Sequence, residues 1–325
     1  MERNGRRMNK KDKKVIFILL ILNIVLISGF IFIGITSRNI SFYLPRRIYK
    51  MLAIALVSYC IGYSSVAFQS ITNNRILTPS VMGLDSLYLF IQTIIVFFFG
   101  SRQIELMTGN INFLLSLFCM VIAALLLFLL LFRGESKNVY FLVLTGMVMG
   151  NFFGGLSTFM QVLLDPNEFL ILQGKMFASF NNINTGLLGI TFVISIITLV
   201  ISIKDYPHLD VLLLGVDQAI SLGVNYKKIV LKTLVIIGIL ISISTVLVGP
   251  ITFLGILIVS LARQMLHSYR HKEMTITTTL LGCLFLSLGL FFAERVFKFQ
   301  TTIGVIINFI GGIYFIYLML KESKR

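Results

Sequence analysis

The stretch LLLGVDQAISLGVN, residues 212–225, interrupts a chain that is otherwise mostly apolar. Between Gly215 and Gly223 a short helix would place Asp217, Gln218 and Ser221 on one side, with Val216, Ala219, Ile220 and Leu222 on the other. Apolar runs long enough to cross a bilayer lie before and after it. The stretch therefore reads as a small amphipathic helix in a polar loop between two membrane spans.

Composition carries that reading to the whole chain. Of 325 residues, 57% are hydrophobic and 13% charged, and the mean hydropathy is +0.94. Lipid offers a backbone no hydrogen-bond partner, so apolar runs of about 20 residues imply self-satisfied α-helices and are too long for barrel strands. The pattern predicts an all-α polytopic membrane protein with about ten spans, near residues 15–34, 48–70, 81–100, 111–132, 139–162, 186–203, 229–248, 251–266, 275–293 and 302–320. The eighth is short and interrupted by glycine, which predicts a broken or tilted helix. Residues 1–14 form a basic leading segment, 15–320 a single transmembrane domain with a loop at 204–228, and 321–325 a tail.

Basic residues set the orientation. With the start MERNGRRMNKKDKK in the cytoplasm, ten spans put Arg75, Lys204, Lys227, Lys228, Arg263, Arg270 and the tail on that same side. Most of the 28 basic residues then lie inside, the asymmetry expected of cytoplasmic loops, and both termini are predicted cytoplasmic. The same residues beside anionic headgroups account for the net charge of +15 without any nucleic-acid partner.

Several chemistries are excluded by what is missing. Cys60, Cys119 and Cys283 fall inside spans at unrelated spacings, giving neither a disulfide framework nor a zinc pattern. His208, His267 and His271 form no metal motif, Gly174-Lys175 is followed by Met176 and so opens no P-loop, and no nucleophile elbow occurs. No catalytic residues, cofactor or metal are predicted. Asp85 and Glu294 sit near span ends, so the membrane centre lacks the acidic relay of a proton-driven carrier. What remains is a pathway whose motor sits on another polypeptide, with residues 216–222 inserted into it; a helix resting at the headgroups is the alternative.

Four motifs, in order, resemble the iron-chelate and vitamin B12 permease family (FecCD-type) of binding-protein-dependent ABC importers. Leu214-Gly215, Ala219 and Leu222-Gly223 match its L-G-x-x-x-A-x-x-L-G pattern. Leu44-Pro45-Arg46 resembles its R-L-P-R lead-in to the second helix, with Tyr43 in place of the first arginine. NNRILTPSVMG keeps Asn74, Pro79 and Gly83 of N-P-L-A-x-P-x-x-L-G, with Arg75 where proline is usual. GPITFLGILIVSLAR keeps Gly249, Pro250, Ile251, Phe253, Gly255 and Arg263 of a further motif but lacks its Pro-His pair, and TIGVIINFIGGIYF is similar to the last family helix at Gly304 and Gly311.

The resemblance spans nearly the whole chain and implies a type II importer permease, vitamin B12 permease-like in fold. It implies that the chain sits in the bacterial plasma membrane and carries an iron chelate, with the motif departures pointing to an iron-siderophore cargo. Its implied partners are an ABC ATPase gripping Val216, Asp217, Gln218, Ala219, Ile220, Ser221 and Leu222, an extracytoplasmic binding protein, and a second permease subunit. Arg46, Arg47 and Arg295 are candidates for docking the binding protein through carboxylates, with headgroup contact as the rival role. The fifth and tenth spans and the short helix after the fifth would line the path. They offer Asn151, Ser157, Thr158, Gln161, Asn181, Asn182 and Asn308, which ordinary helix packing could also use. An ion-coupled secondary transporter is the alternative function.

Overall fold

The computed structural model describes residues 8–33, 40–106, 109–132, 139–181, 183, 185–298 and 300–322. The described residues form twelve α-helices and no strand. In order they are α1 (Lys10–Phe32), α2 (Ile40–Ile71), α3 (Leu84–Leu106), α4 (Gly109–Phe132), α5 (Val139–Val162), α6 (Pro166–Met176), α7 (Thr185–Leu212), α8 (Val216–Ser221), α9 (Tyr226–Val248), α10 (Leu254–Met265), α11 (His271–Phe291) and α12 (Ile303–Glu322). Seven are long and apolar enough to cross a membrane, and three shorter apolar pieces, Leu84–Gly100, Phe113–Leu126 and Leu254–Met265, bring the apolar helices to the ten read from sequence.

Local chemistry sets the helix ends. The Asn9 side chain accepts the Lys11 N–H at 3.3 Å, and Asn225 does the same for Lys228 at 3.2 Å, so each caps a helix start. Pro166 opens α6, where its missing N–H costs nothing. Gly249, at φ +98, ends α9 in a conformation that side chains avoid.

Some boundaries differ from the sequence reading. The second helix starts at Ile40, so the Leu44-Pro45-Arg46 lead-in lies inside it. Its Pro45 falls near the helix start, where few intrahelical bonds are lost. The helix expected to stop at residue 203 continues to Leu212, carrying Lys204, Asp205 and Asp210 on helix and leaving only residues 213–225 as the connection that holds α8. Charged residues there end the apolar run but not the helical backbone; Asp205 is buried and pairs with Lys232 of α9 at 2.7 Å.

α2 is the axis of the bundle, buried along most of its length and touching α1, α7, α9, α10 and α11. Close approach needs small residues. A Cβ on Gly62 would stand 3.0 Å from the Thr278 hydroxyl, and one on Gly282 would stand 2.9 Å from the Ser58 Cβ. Several buried hydroxyls here turn back on their own helices: Ser70 donates to the Val66 carbonyl at 2.9 Å and Ser242 to Gly238 at 2.7 Å. Asn23 pins α1 to α11 by donating to the Leu280 carbonyl at 3.0 Å.

The TPSVMG segment becomes a 3-10 turn, Pro79–Met82, ending at Gly83 with φ +77. That turn lies directly on α5. A Cβ on Gly150 would fall 2.8 Å from the Gly83 Cα, and one on Gly146 would fall 2.9 Å from the Met82 Cα. Gly150→Val should therefore destabilise the chain by about 1–3 kcal/mol through overpacking against backbone that cannot move aside. Gly189→Val, whose Cβ has nothing within 4 Å, should be close to neutral. Thermal unfolding of both variants in detergent checks this; equal midpoints would remove the contact as a constraint.

Candidate functional site

The short helix foreseen between Gly215 and Gly223 is α8, and the two glycines make it possible. Both have positive φ, +107 and +82. At its end the Val224 N–H reaches the Ala219 carbonyl at 3.0 Å and the Gly223 N–H reaches Ile220 at 2.9 Å, the paired bonds of a Schellman closure. Ser221 donates to the Asp217 carbonyl at 2.9 Å.

Its apolar side is divided. Ala219 is 0% exposed and belongs to the chain's own core, on a helix packed against α7 and α9. Val216, Ile220 and Leu222 face outward, Ile220 47% and Leu222 64% exposed, and Asp217, Gln218 and Ser221 are exposed beside them. The sequence wheel grouped Ala219 with the outward apolar residues. In the structure it is the residue on which α8 sits, and the projecting surface is Val216, Ile220 and Leu222 with a polar edge.

The three candidate docking arginines separate in the same way. Arg47 Nη1 donates to the carbonyls of Phe30, Ile31 and Ile33 at 2.9, 2.8 and 2.8 Å, and Arg295 Nη2 donates to Ile33 at 2.8 Å. Both thereby satisfy the end of α1, whose last carbonyls have no intrahelical partner. Arg46 is exposed, its guanidinium carbon 4.0 Å from the Phe42 ring centroid.

Near this end of the bundle, three elements converge on one extended segment. After α6 the chain runs through Ala178, which is pinched between two glycines: a Cβ on Gly249 would stand 3.1 Å from the Ala178 Cα, and one on Gly304 would stand 2.7 Å from its nitrogen. The Ser179 N–H donates to the Val248 carbonyl at 2.7 Å and the Gly304 N–H to the Ala178 carbonyl at 3.1 Å, fastening the segment to α9 and α12. Lys50 of α2 reaches both Asn181, at 2.9 Å, and Glu294, at 2.5 Å, the latter in the π-helical turn Phe292–Val296 that follows α11. The Lys50–Glu294 pair joins residues far apart in sequence, and no local pattern marks it.

Among the path candidates, Asn151 and Thr158 lie on the exposed face of α5, where Gly154 and Gly155 have open space around them. Ser157 points into the chain: its hydroxyl is 2.8 Å from Thr93 of α3, and Gln161 donates to Ser157 at 2.8 Å. These two side chains tie α5 to α3. Asn308 is half-buried with its Oδ1 unpartnered among the described residues, Asn181 is held by Lys50, and Asn182 lies outside the described residues.

A cavity of about 560 Å³ beside α6, lined by Tyr88, Gln92, Ser116 and Lys175 among others, went unnoticed in the sequence. Lys175 donates to Gln92 Oε1 at 3.0 Å and Gln92 to Ser116 at 2.7 Å; burial lowers the pKa of this ammonium. Only Lys175 was visible as a basic residue, and nothing in its neighbourhood announced the partners.

Residues 15–321 match the family model described as the FecCD transport family. The chain belongs to that family. Among relatives of this FecCD protein, the petrobactin import system permease protein YclO of Bacillus subtilis is 49% identical, over 97% of this chain and 99% of that one. The petrobactin import system permease protein FatC of Bacillus anthracis is 39% identical, over 85% and 78% respectively. A solved structure described as a metal-chelate-type ABC transporter in an inward-facing conformation superposes with a TM-score of 0.82, covering 95% of this chain and 99% of that one at 22% identity. The FecCD fold expected from the motifs is therefore the fold observed, and the chain is a multi-pass membrane transport component.

Substitution at the pinch should be felt locally. In Gly304→Val the side chain meets the Ala178 backbone, so residues 177–181 should detach and their amides exchange roughly tenfold faster or more, as about 1.4 kcal/mol of lost local stability implies. Hydrogen exchange by mass spectrometry reads this; unchanged protection of the Ser179 segment would refute the clamp.

Proposed function

We propose that this chain is the permease subunit, residues 15–320, of a binding-protein-dependent ABC importer that takes up an iron-siderophore complex. The 49% identity to a petrobactin import permease, sustained over nearly the whole of both chains, is the observation that carries the cargo class. A separate ATPase supplies the energy, an extracytoplasmic binding protein delivers the cargo, and a second permease subunit, identical or related, completes the path. The glycine-bearing faces of α5 and α12, open at Gly154, Gly155 and Gly312, suit close approach by such a partner. Asn151 and Thr158 on the same exposed side of α5, with Asn181, Asn182 and Asn308 as the further path residues, offer neutral polar groups that pass a bulky chelate without trapping it.

In this reading both termini are cytoplasmic, the basic segment 1–14 and tail 321–325 meet the inner leaflet, and the loop within 204–228 carries α8 to the ATPase. Nucleotide binding and release there rock the two permeases, and the clamp around Ala178 transmits the motion to the outer gate.

The outward geometry of α8 sharpens the test of coupling. Ile220→Asp combined with Leu222→Asp removes two apolar contacts from a helix-in-groove interface, a loss of about 3 kcal/mol or roughly a hundredfold in association. The double variant should insert and bind the loaded binding protein yet neither pull down the ATPase nor take up iron-loaded siderophore. Pull-down at wild-type strength would sink this assignment, and uptake that resists vanadate but collapses with ionophores would favour an ion-coupled carrier. Ala219→Trp is unsuited to the purpose because it disrupts the chain's own core.

Arg46 is the docking residue that the proposal retains. Arg46→Glu should weaken association with the binding protein and flatten its salt dependence without loss of fold, since Arg46 is exposed and its guanidinium lies over an exposed ring. Affinity unchanged at low ionic strength would remove Arg46 from the interface.

A further inference from the structure

Asp85 stands at the start of α3, directly after the turn that Gly83 presses onto Gly150, midway along α5. A carboxylate so placed inside an apolar bundle is costly unless another group compensates it. The Thr252 hydroxyl donates to its Oδ2 at 3.2 Å, and the Ser80 hydroxyl is its other hydrogen-bonding neighbour. Both are neutral. Among the described residues no lysine, arginine or histidine pairs with Asp85, so its charge is left to a group outside the chain.

Beside it lies a small cavity of about 10 Å³, room for one particle the size of a water molecule. Its wall comes from α2, the turn after it, α3, α9 and the approach to α10, and the polar part is Asp85 with hydroxyls, Ser65 and Thr245 among them. Those two decide the reading. They are 1% and 3% exposed, yet neither hydroxyl makes a hydrogen bond to any described residue. Their neighbours behave differently: Ser244, also in the wall, donates to the Ile241 carbonyl at 3.0 Å, and Ser70 and Ser242 likewise turn back on their own helices. Nor are the two oxygens sealed from a water-sized sphere, as the Thr78 hydroxyl in the same wall is. They face the cavity. Gly255 keeps that face open, because a Cβ there would collide with the Ser65 oxygen.

We propose that this cavity is a binding site for one Na⁺ ion, held by the Asp85 carboxylate and the oxygens of Ser65 and Thr245, with Ser80 and Thr252 completing the shell. A hydroxyl that donates its proton keeps its lone pairs, so Thr252 can serve Asp85 and the ion together. One carboxylate matches one positive charge. Ca²⁺ and Mg²⁺ demand more oxygens or retained waters than a cavity for one particle offers. The ion joins α2, α3, α9 and the approach to α10 at a single point, and it supplies the compensation that the bundle's own side chains do not.

The test needs neither cargo nor ATPase, so its failure leaves the importer reading standing. Thermal unfolding of the purified full chain in phosphatidylcholine nanodiscs is followed as NaCl replaces choline chloride at constant ionic strength. A saturable rise of a few degrees is expected, as ligand linkage requires. Asp85→Asn keeps the shape, removes the charge and should abolish the rise; Ser65→Ala and Thr245→Val, each lacking one oxygen, should need roughly tenfold more Na⁺ or beyond. Equal midpoints in the two salts mean that the cavity holds water only, and overturn the proposal. A rise that survives in folded Asp85→Asn overturns it as well. Should that variant fail to fold, an unchanged Na⁺ dependence in both hydroxyl variants does the same.

Discussion

The packing of α1, α7, α9, α10 and α11 depends on how closely each can approach α2. In lipid the hydrophobic effect does not drive helices together, because lipid tails are as apolar as leucine, so association rests on van der Waals contact and hydrogen bonds at short range. Gly62 and Gly282 let α2 and α11 meet nearly backbone to side chain, at Thr278 and Ser58 respectively. α7, α9 and α10 pack on other faces of the same helix and inherit their positions from it. Some of the buried hydroxyls, Ser70, Thr72, Ser242 and Thr278 among them, are satisfied by carbonyls of their own helices and so need no partner across the interface.

The same device, glycine against backbone, recurs where the functional segments meet. Gly83 and Gly150 press the turn after α2 onto α5, and Gly249 and Gly304 hold Ala178 between α9 and α12. These contacts are rigid because each has backbone on both sides, which cannot rotate away as a side chain would. α9, whose first turn adjoins α8, is joined at its other end to the segment after α6 and to the start of α12 by the backbone bonds from Ser179 to Val248 and from Gly304 to Ala178. The Lys50–Glu294 pair adds α2 and the end of α11 to that junction. It is mostly withdrawn from solvent, so breaking it by removing one partner would leave a charge poorly compensated.

The outer surface divides by purpose. α1 and α7 expose broad leucine, isoleucine and phenylalanine faces suited to lipid. α5 and α12 expose faces that mix large apolar residues with Gly154, Gly155 and Gly312, suited to another helix. On α8 the exposed Ile220 and Leu222 stand outside any apolar span, on a helix too short to be stable by itself and held in place by Ala219.

What the amino-acid order determined by itself was the count and kind of elements. Run length and hydropathy specify ten apolar helices because the bilayer leaves the backbone no alternative, and Gly215 and Gly223 specify the ends of α8 because only glycine takes positive φ there without strain. The FecCD motifs were equally legible, being short and local. Boundaries at Ile40 and Leu212 were not, since hydropathy marks where a chain leaves apolar surroundings and not where its helical hydrogen bonding stops. Tertiary structure alone decided which side of each element faces inward: Ala219 rather than Ile220, Ser157 rather than Asn151, Arg47 spent on α1 while Arg46 remains outward. Those choices, like the meeting of Lys50 with Glu294, depend on pairs distant in sequence, and their energies exist only once the helices are packed.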